Sequence, residues 1–293
     1  MRGIKKYHPL AGTAFFLAVM LITAFIQSPY FVAVSLIFSV LTALNVSGKK
    51  VIKLLLITLP FFIISCGINL LFNNAGVTVL FYLPTGNAAT LETLIYSVNA
   101  GGMLISLVMW FACVTEIMTS DKIVYLFGSI APRLGLLISM ILRFVPLLVR
   151  RIKETAQAQK FVGCDIYGES VLQRVKNALR VLSVAIAASA EGAAQTAASM
   201  KGRGYGLKGV RRTSYTVYGF AAKEAAAVAV VLAASALIIA GACAGWTEYH
   251  FYPDFATRAD GFTLITLIAW AVLCALPLVI NIYESGVRRL DTI

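Results

Sequence analysis

The chain has 293 residues, of which 59% are hydrophobic and only 13% charged, about half the charged share of an ordinary soluble domain. That composition excludes a disordered chain and a disulfide-framed secreted domain, and it leaves too few polar residues to cover a soluble surface. The 25 Lys and Arg outnumber the 13 Asp and Glu, a net charge of +12, so the placement of positive charge becomes the main topological clue.

Six apolar runs approach the roughly 20 residues a helix needs to cross the hydrocarbon of a bilayer. They are Leu10–Gln27, Pro29–Val46, Val51–Phe72, Leu94–Met118, Ala225–Gly245 and Phe262–Tyr283. The first follows Arg2, Lys5 and Lys6, as in a signal peptide. It is long, lacks a small-residue cleavage site and is followed directly by a second run, so it is expected to stay as the first transmembrane helix. With the N-terminus inside, Lys49, Lys50 and Lys53 also fall inside, as do Arg288, Arg289 and the 16 Lys and Arg of residues 119–223. The outer loops keep only Arg258, beside Glu92, Glu248, Asp254 and Asp260. This positive-inside bias predicts that both termini are cytoplasmic.

The expected fold class is all-α: a polytopic membrane protein with about six transmembrane helices and long cytoplasmic helices. Residues 1–120 supply four spans, 121–222 the cytoplasmic or interfacial helices, and 223–293 two further spans. No basic–aromatic pattern suggests nucleic acid. Cys66, Cys113, Cys164, Cys243 and Cys274 are scattered, four of them in apolar runs, and read as small buried hydrophobes. His8 and His250 fall on opposite membrane sides, so no metal centre is expected. The outer stretch Asn73–Thr90 reads as a connecting loop, with a short hairpin or an interfacial segment as alternatives.

The middle segment carries most of the information. Ser120 is placed to cap a short helix, Asp121–Gly128, that Ala131-Pro132 breaks. A long helix is expected over about 133–162, kinked at Pro146 and ended by Gly163. Its apolar part, Leu134–Val149, contains Arg143, which is costly at a span centre. A cytoplasmic or interfacial placement is therefore preferred, with Arg143 at headgroup level or paired with Asp121 or Glu154. A second long helix is expected over about 170–202. Val171, Val175, Ala178, Leu182, Ala185 and Ser189 form its apolar face, while Arg174, Lys176, Asn177 and Arg180 project elsewhere. The run from Ala185 to Met200 is nearly all Ala, Ser and Gly, which permits close helix approach and suggests a contact that slides or hinges.

Next comes Met200-Lys201-Gly202-Arg203-Gly204-Tyr205-Gly206. It is no Walker A loop, because no GxxxxGK[ST] run is present. A helix C-terminus carries negative partial charge and favours cations over phosphate. The segment reads as a helix end presenting Arg203, whose fork suits carboxylates on another protein.

At these residues the chain resembles the transmembrane T component of energy-coupling factor (ECF) transporters, the CbiQ-type family. The stretches are Thr119-Ser120-Asp121-Lys122, Leu142-Arg143-Phe144-Val145-Pro146-Leu147-Leu148, Ala158-Gln159-Lys160-Phe161-Val162-Gly163 and Met200-Lys201-Gly202-Arg203-Gly204-Tyr205. The resemblance implies a non-catalytic subunit with two long coupling helices. Each ends in an Ala-Arg-Gly-like motif that docks on one of two cytosolic ABC-type ATPases. The helices also contact a membrane substrate-binding S component, so that ATP-driven closure of the ATPases drives uptake of a vitamin or transition-metal ion. ATP would belong to the partners, leaving this chain without a cofactor of its own, in a bacterial or archaeal plasma membrane.

By that resemblance the coupling residues are Met200, Lys201, Gly202, Arg203 and Gly204 at one end and Lys160, Phe161, Val162 and Gly163 at the other, with Arg143 and Pro146 as a structural hinge. The first end departs from the pattern, since Val162 stands where the family has Arg. Lys160 lies two residues earlier, about 200° around the helix. An asymmetric pair of ATPase contacts is expected. The rival reading is a self-contained secondary transporter or channel, whose best candidate for a broken helix is Gly101-Gly102.

Overall fold

The computed structural model describes residues 8–73, 76–82, 88–163, 170–207, 222–252, 256–257 and 261–290. Arg2, Lys5, Lys6, Leu83, Cys164, Asp254, Arg258 and Asp260 lie outside the described residues, as do the side chains of Lys223, Glu284, Arg288 and Arg289. In chain order the elements are α1 (Pro9–Phe25), α2 (Pro29–Ser47), α3 (Lys50–Phe72), β1 (Val79–Tyr82), β2 (Ala88–Thr90), α4 (Leu91–Ile117), α5 (Ser120–Ile130), α6 (Pro132–Phe161), α7 (Val171–Gly202), α8 (Ala222–Cys243), β3 (Tyr249–His250), β4 (Ala256–Thr257) and α9 (Gly261–Leu290). The chain divides into two compact units, residues 1–123 with 218–293, and residues 124–217.

The first unit is a helical membrane bundle. Among the described residues five helices are long and apolar enough to cross a bilayer: α2, α3, α4, Glu224–Cys243 of α8 and Gly261–Asn281 of α9. The remaining apolar run forms α1, with 17 residues, or about 25 Å of rise. All-α polytopic architecture is therefore observed.

Local sequence explains where these helices begin and turn. Pro9 and Pro29 occupy first-turn positions, where a missing N–H costs nothing. His8 Nδ1 accepts from the Leu10 N–H at 3.3 Å, and the His8 N–H donates to Glu224 Oε1 at 2.9 Å, tying the start of α1 to the start of α8. Gly48, at φ +58°, reverses the chain between α2 and α3, a conformation disfavoured for residues with a Cβ.

The core lies between α1, α2, α4, α8 and α9. Phe15, Phe16, Val19, Met109, Trp110, Cys113, Ile238, Trp270, Leu273 and Cys274 are all buried there. Lipid is as apolar as leucine, so helix association inside it rests on close packing and on polar bridges. Both are present. Ser35 Oγ bonds Thr23 Oγ1 at 3.0 Å and Ser106 Oγ at 2.6 Å, and accepts from Trp110 Nε1 at 3.1 Å, joining α1, α2 and α4. Trp270 Nε1 of α9 donates to the Phe31 carbonyl of α2 at 3.0 Å.

Gly101 and Gly102, the candidate break, sit inside an uninterrupted α4. They form a packing notch: a Cβ on Gly101 would overlap the Phe62 ring of α3, and one on Gly102 would reach Val32 at 3.5 Å. The stretch before α4 does contain a hairpin, with β1 antiparallel to β2 and Phe81 opposite Ala89. Buried Glu92 accepts from the Thr78 N–H at 3.2 Å and from the Thr78 hydroxyl.

The second unit holds α6, α7 and most of α5. That short helix differs from expectation at both ends. Ser120 is already helical, because the Thr119 carbonyl accepts from the Lys122 and Ile123 N–H groups at 3.0 and 3.2 Å. At the other end α5 continues past Gly128 to Ile130. Gly128 is a point of close approach, since a Cβ on Gly135 would overlap its Cα; the two glycines make the Ala131-Pro132 corner possible. α6 then runs 30 residues through Pro146 as one continuous helix, so the proline does not break it.

The packed face of α7 is rotated from the expected one in its first half. Asn177, Val181 and Ala185 are buried, and half-buried Ser189, Gly192, Thr196 and Met200 continue the stripe. Val171, Val175 and Leu182 are exposed instead, and Asn177 does not project outward. Leu172, Leu179, Val184 and Ile186 are also apolar and exposed, so hydrophobic periodicity marks no single face there. The small-residue half fixes the face and extends it backward.

Candidate functional site: two matched helix ends

The C-termini of α6 and α7 are built on one plan. In α7, Arg203 is the C-cap residue and its N–H donates to Ser199 O at 3.0 Å. Gly204 follows at φ +81°, with its N–H on Lys201 O at 3.0 Å, and the Tyr205 N–H reaches back to Met200 O at 3.0 Å. Those two reversed bonds define a Schellman end, which satisfies carbonyls the helix would otherwise leave open. In α6, Val162 is the C-cap residue, and Gly163 follows at φ +83° with its N–H on Lys160 O at 3.0 Å. Gly163 and Gly204 are thus glycines for the same reason, a left-handed residue directly after a helix.

This geometry sets a residue-by-residue equivalence. Lys160 matches Lys201, Phe161 matches Gly202, Val162 matches Arg203 and Gly163 matches Gly204. Both lysines lie in the last helical turn, where a cation meets the negative end of the helix dipole. One local difference is visible. The Val162 N–H bonds Gln159 O at 3.2 Å, a tighter turn than the α-type bond that Arg203 makes.

Both ends are open to their surroundings. Phe161 is 92% and Val162 76% exposed; Arg203 is exposed, and Tyr205 and Leu207 are half or more exposed. Two adjacent apolar side chains at that exposure, on a hydrogen-bonded helix end, form an apolar surface patch.

Arg143 and Pro146 lie well before the α6 end, both exposed. Glu154, one proposed partner of Arg143, pairs with Arg150 at 2.8 Å one turn away. No ion pair to Arg143 occurs among the described residues.

The residue that sequence reasoning missed is Arg151. Its Nη1 donates across to the Ala188 carbonyl of α7 at 2.9 Å. Gly192 makes room for it: a Cβ there would stand 3.1 Å from both terminal guanidinium nitrogens. A cavity of about 180 Å³ lined by Phe144, Leu147, Leu148, Arg151, Ser189 and Ala193 opens beside this crossing. On α7, Ser189 and Thr196 donate to carbonyls of their own helix at 2.6 and 2.7 Å. Nothing in the sequence separates Arg151 from Arg150, which makes only the surface pair; the glycine at 192 was the one available signal.

No cluster of His, Cys, Asp or Glu suited to a metal ion occurs among the described residues. The features assembled so far define a class: an all-α, multi-pass membrane protein that presents two long helices with matched, exposed ends. A family model described as "Cobalt transport protein", CbiQ, matches residues 4–215, and the chain belongs to this family. The energy-coupling factor transporter transmembrane protein EcfT of Streptococcus equi subsp. equi (strain 4047) is 33% identical over 102 residues, 35% of this chain. That match spans 38% of the relative's length. The resemblance read from the motifs is thereby borne out.

Proposed function

We propose that this chain is the transmembrane coupling subunit of an ECF-type ABC importer. Two cytosolic ATPases bind the ends of α6 and α7, and an S component in the membrane supplies substrate recognition. The carrying observation is the equivalence of the two helix ends, with Arg203 and Val162 at the same position of the same cap. A rigid cap fixes the direction in which its C-cap side chain leaves the helix, which is what a docking motif requires. Arg203 presents a planar fork for carboxylates on one ATPase. Phe161 and Val162 present an apolar knob to the other, with Lys160 beside them.

The chain is non-catalytic in this reading, and ATP belongs to its partners. Vitamin or metal-ion selectivity would reside in the S component. The exposed apolar side chains of α6, among them Leu134, Leu137, Ile141, Leu142 and Val145, suit the membrane interface or the S component better than water. The termini lie on the cytoplasmic side of a bacterial or archaeal plasma membrane, by the distribution of Lys and Arg.

Gentle solubilisation and affinity purification of the tagged chain tests the proposal. Co-purification of two ATPase subunits with a small membrane protein is the expected result. A chain that purifies alone and transports in liposomes without ATP would overturn it in favour of a secondary transporter.

A further inference from the structure

A groove of about 370 Å³ runs between α3 and α4 near the end where α4 terminates. Its walls are Val51, Leu54, Val108, Phe111 and Ala112, and its mouth carries Ser47, Lys50, Thr115 and Glu116. Lys50 lines this mouth; Lys49 precedes it directly after the Gly48 turn and Lys53 follows one helical turn along α3, all three exposed, and the first turn of α3 holds no acidic residue to offset them. Glu116 faces Lys50 at 3.5 Å, with the lysine side chain 82% exposed. A pair so long and so exposed adds little. Among the described residues Lys49 and Lys53 have no ion pair.

We propose that this groove holds one anionic phospholipid of the cytoplasmic leaflet. Its phosphate sits among Lys49, Lys50 and Lys53, and an acyl chain lies against Leu54, Val108 and Phe111. Three observations favour this occupant. The groove is apolar along its length, and Lys50 at its mouth, with Lys49 and Lys53 beside it at the start of α3, outweighs the single carboxylate of Glu116, matching the two ends of the lipid in one orientation. α3 is the least buried of the spanning helices, so the groove opens toward the bilayer. The three lysines lie on the side that the positive-inside distribution assigns to the cytoplasm, where anionic headgroups attract basic residues. A neighbouring protein helix would have to bring its own acidic residue to the same spot. The inference is independent of the ATPase reading, since it uses only the membrane unit and its charge.

The test uses the full chain, with whatever subunits accompany it. Lipid retention is measured by native mass spectrometry after exchange with phosphatidylglycerol or phosphatidylcholine. One phosphatidylglycerol should survive activation at an occupancy about tenfold above phosphatidylcholine. Each lysine near an anionic headgroup contributes roughly a fivefold factor. The combined change Lys49→Gln, Lys50→Gln, Lys53→Gln should therefore cut retention by one to two orders of magnitude. Glu116→Gln should raise retention, a gain that misfolding could not mimic, and Ala112→Phe, which fills the groove, should lower it. Equal retention of the two lipids, or no response to the lysine changes in a chain that still inserts, would overturn the proposal. So would a photo-crosslinker at position 112 that captures a protein subunit in place of lipid.

Discussion

The ends of α6 and α7 share a backbone and differ in what they offer. Each closes with a glycine in the left-handed region, and each has a lysine two residues before its C-cap. At the C-cap one carries Arg203 and the other Val162; one residue earlier, one carries Gly202 and the other Phe161. The α7 end is a cation on a slim support, while the α6 end is a hydrophobic knob. Backbone geometry here constrains the glycine far more than the residue before it. The sequence difference is therefore free to tune what each end presents, so two contacts of different chemistry can be built on one helix cap.

Arg203→Glu attacks the comparison most strongly. If Arg203 faces a carboxylate on an ATPase, as proposed, reversing its charge leaves that carboxylate buried against a like charge. Loss of one partner of such a pair costs about 2–5 kcal/mol, or roughly thirtyfold or more in binding. Quantitative pull-down should show the chain inserted in the membrane but depleted of ATPase. Unchanged assembly and transport would remove Arg203 from the interface.

Phe161→Ser probes the other end. The side chain is 92% exposed, so the stability of the chain alone should barely change. If the knob is buried on docking, assembly should weaken by about 1.5–3 kcal/mol, the range for burying a large apolar side chain. Equal ATPase binding by wild type and mutant, measured by titration in detergent, would show that the α6 end does not dock through Phe161.

The two glycines separate backbone from chemistry. Gly163→Ala meets nothing within 4 Å and incurs only the left-handed strain, about 1–2 kcal/mol. Gly204→Ala adds a contact to Leu207 Cδ1 at 3.1 Å. Both should fray their helix ends, Gly204→Ala somewhat more, as read by hydrogen exchange at residues 159–163 and 200–205. Protection that survives in both would mean the caps are held from elsewhere.

Much of this was legible in the sequence, for physical reasons. Apolar runs of 18 residues or more can hardly be anything but spans, and Gly163 and Gly204 after long periodic stretches mark helix ends. The helix ends that carry the proposed motifs could be placed because glycine takes a left-handed conformation that other residues avoid. Other features were illegible because they depend on a partner across space. Gly101 reads equally well as a break or as a notch until Phe62 is placed against it. Arg151 differs from Arg150 only in pointing at Ala188, and the α7 face could not be chosen where several sides are apolar. Ser120 and Gly128 suggested helix limits, but the Thr119 carbonyl and the Gly128–Gly135 approach set different ones.

Val162→Arg is the smallest expected change and the one that sharpens the comparison most. The two C-cap positions are equivalent in the backbone, so an arginine at 162 should leave α6 as Arg203 leaves α7. Val162 is 76% exposed, so the substitution displaces little among the described residues. The outcome therefore reports on the partner. If both ATPase grooves carry the same carboxylates, assembly should hold or strengthen, by at most the fraction of a kcal/mol to a few that a charged hydrogen bond adds. If the groove that receives α6 has become apolar to suit Phe161 and Val162, burying a guanidinium there would weaken assembly instead. Measured beside Arg203→Val, this variant decides whether the asymmetry belongs to this chain alone or is mirrored in two different ATPases. Loss in both variants would mean each end is matched to its own partner.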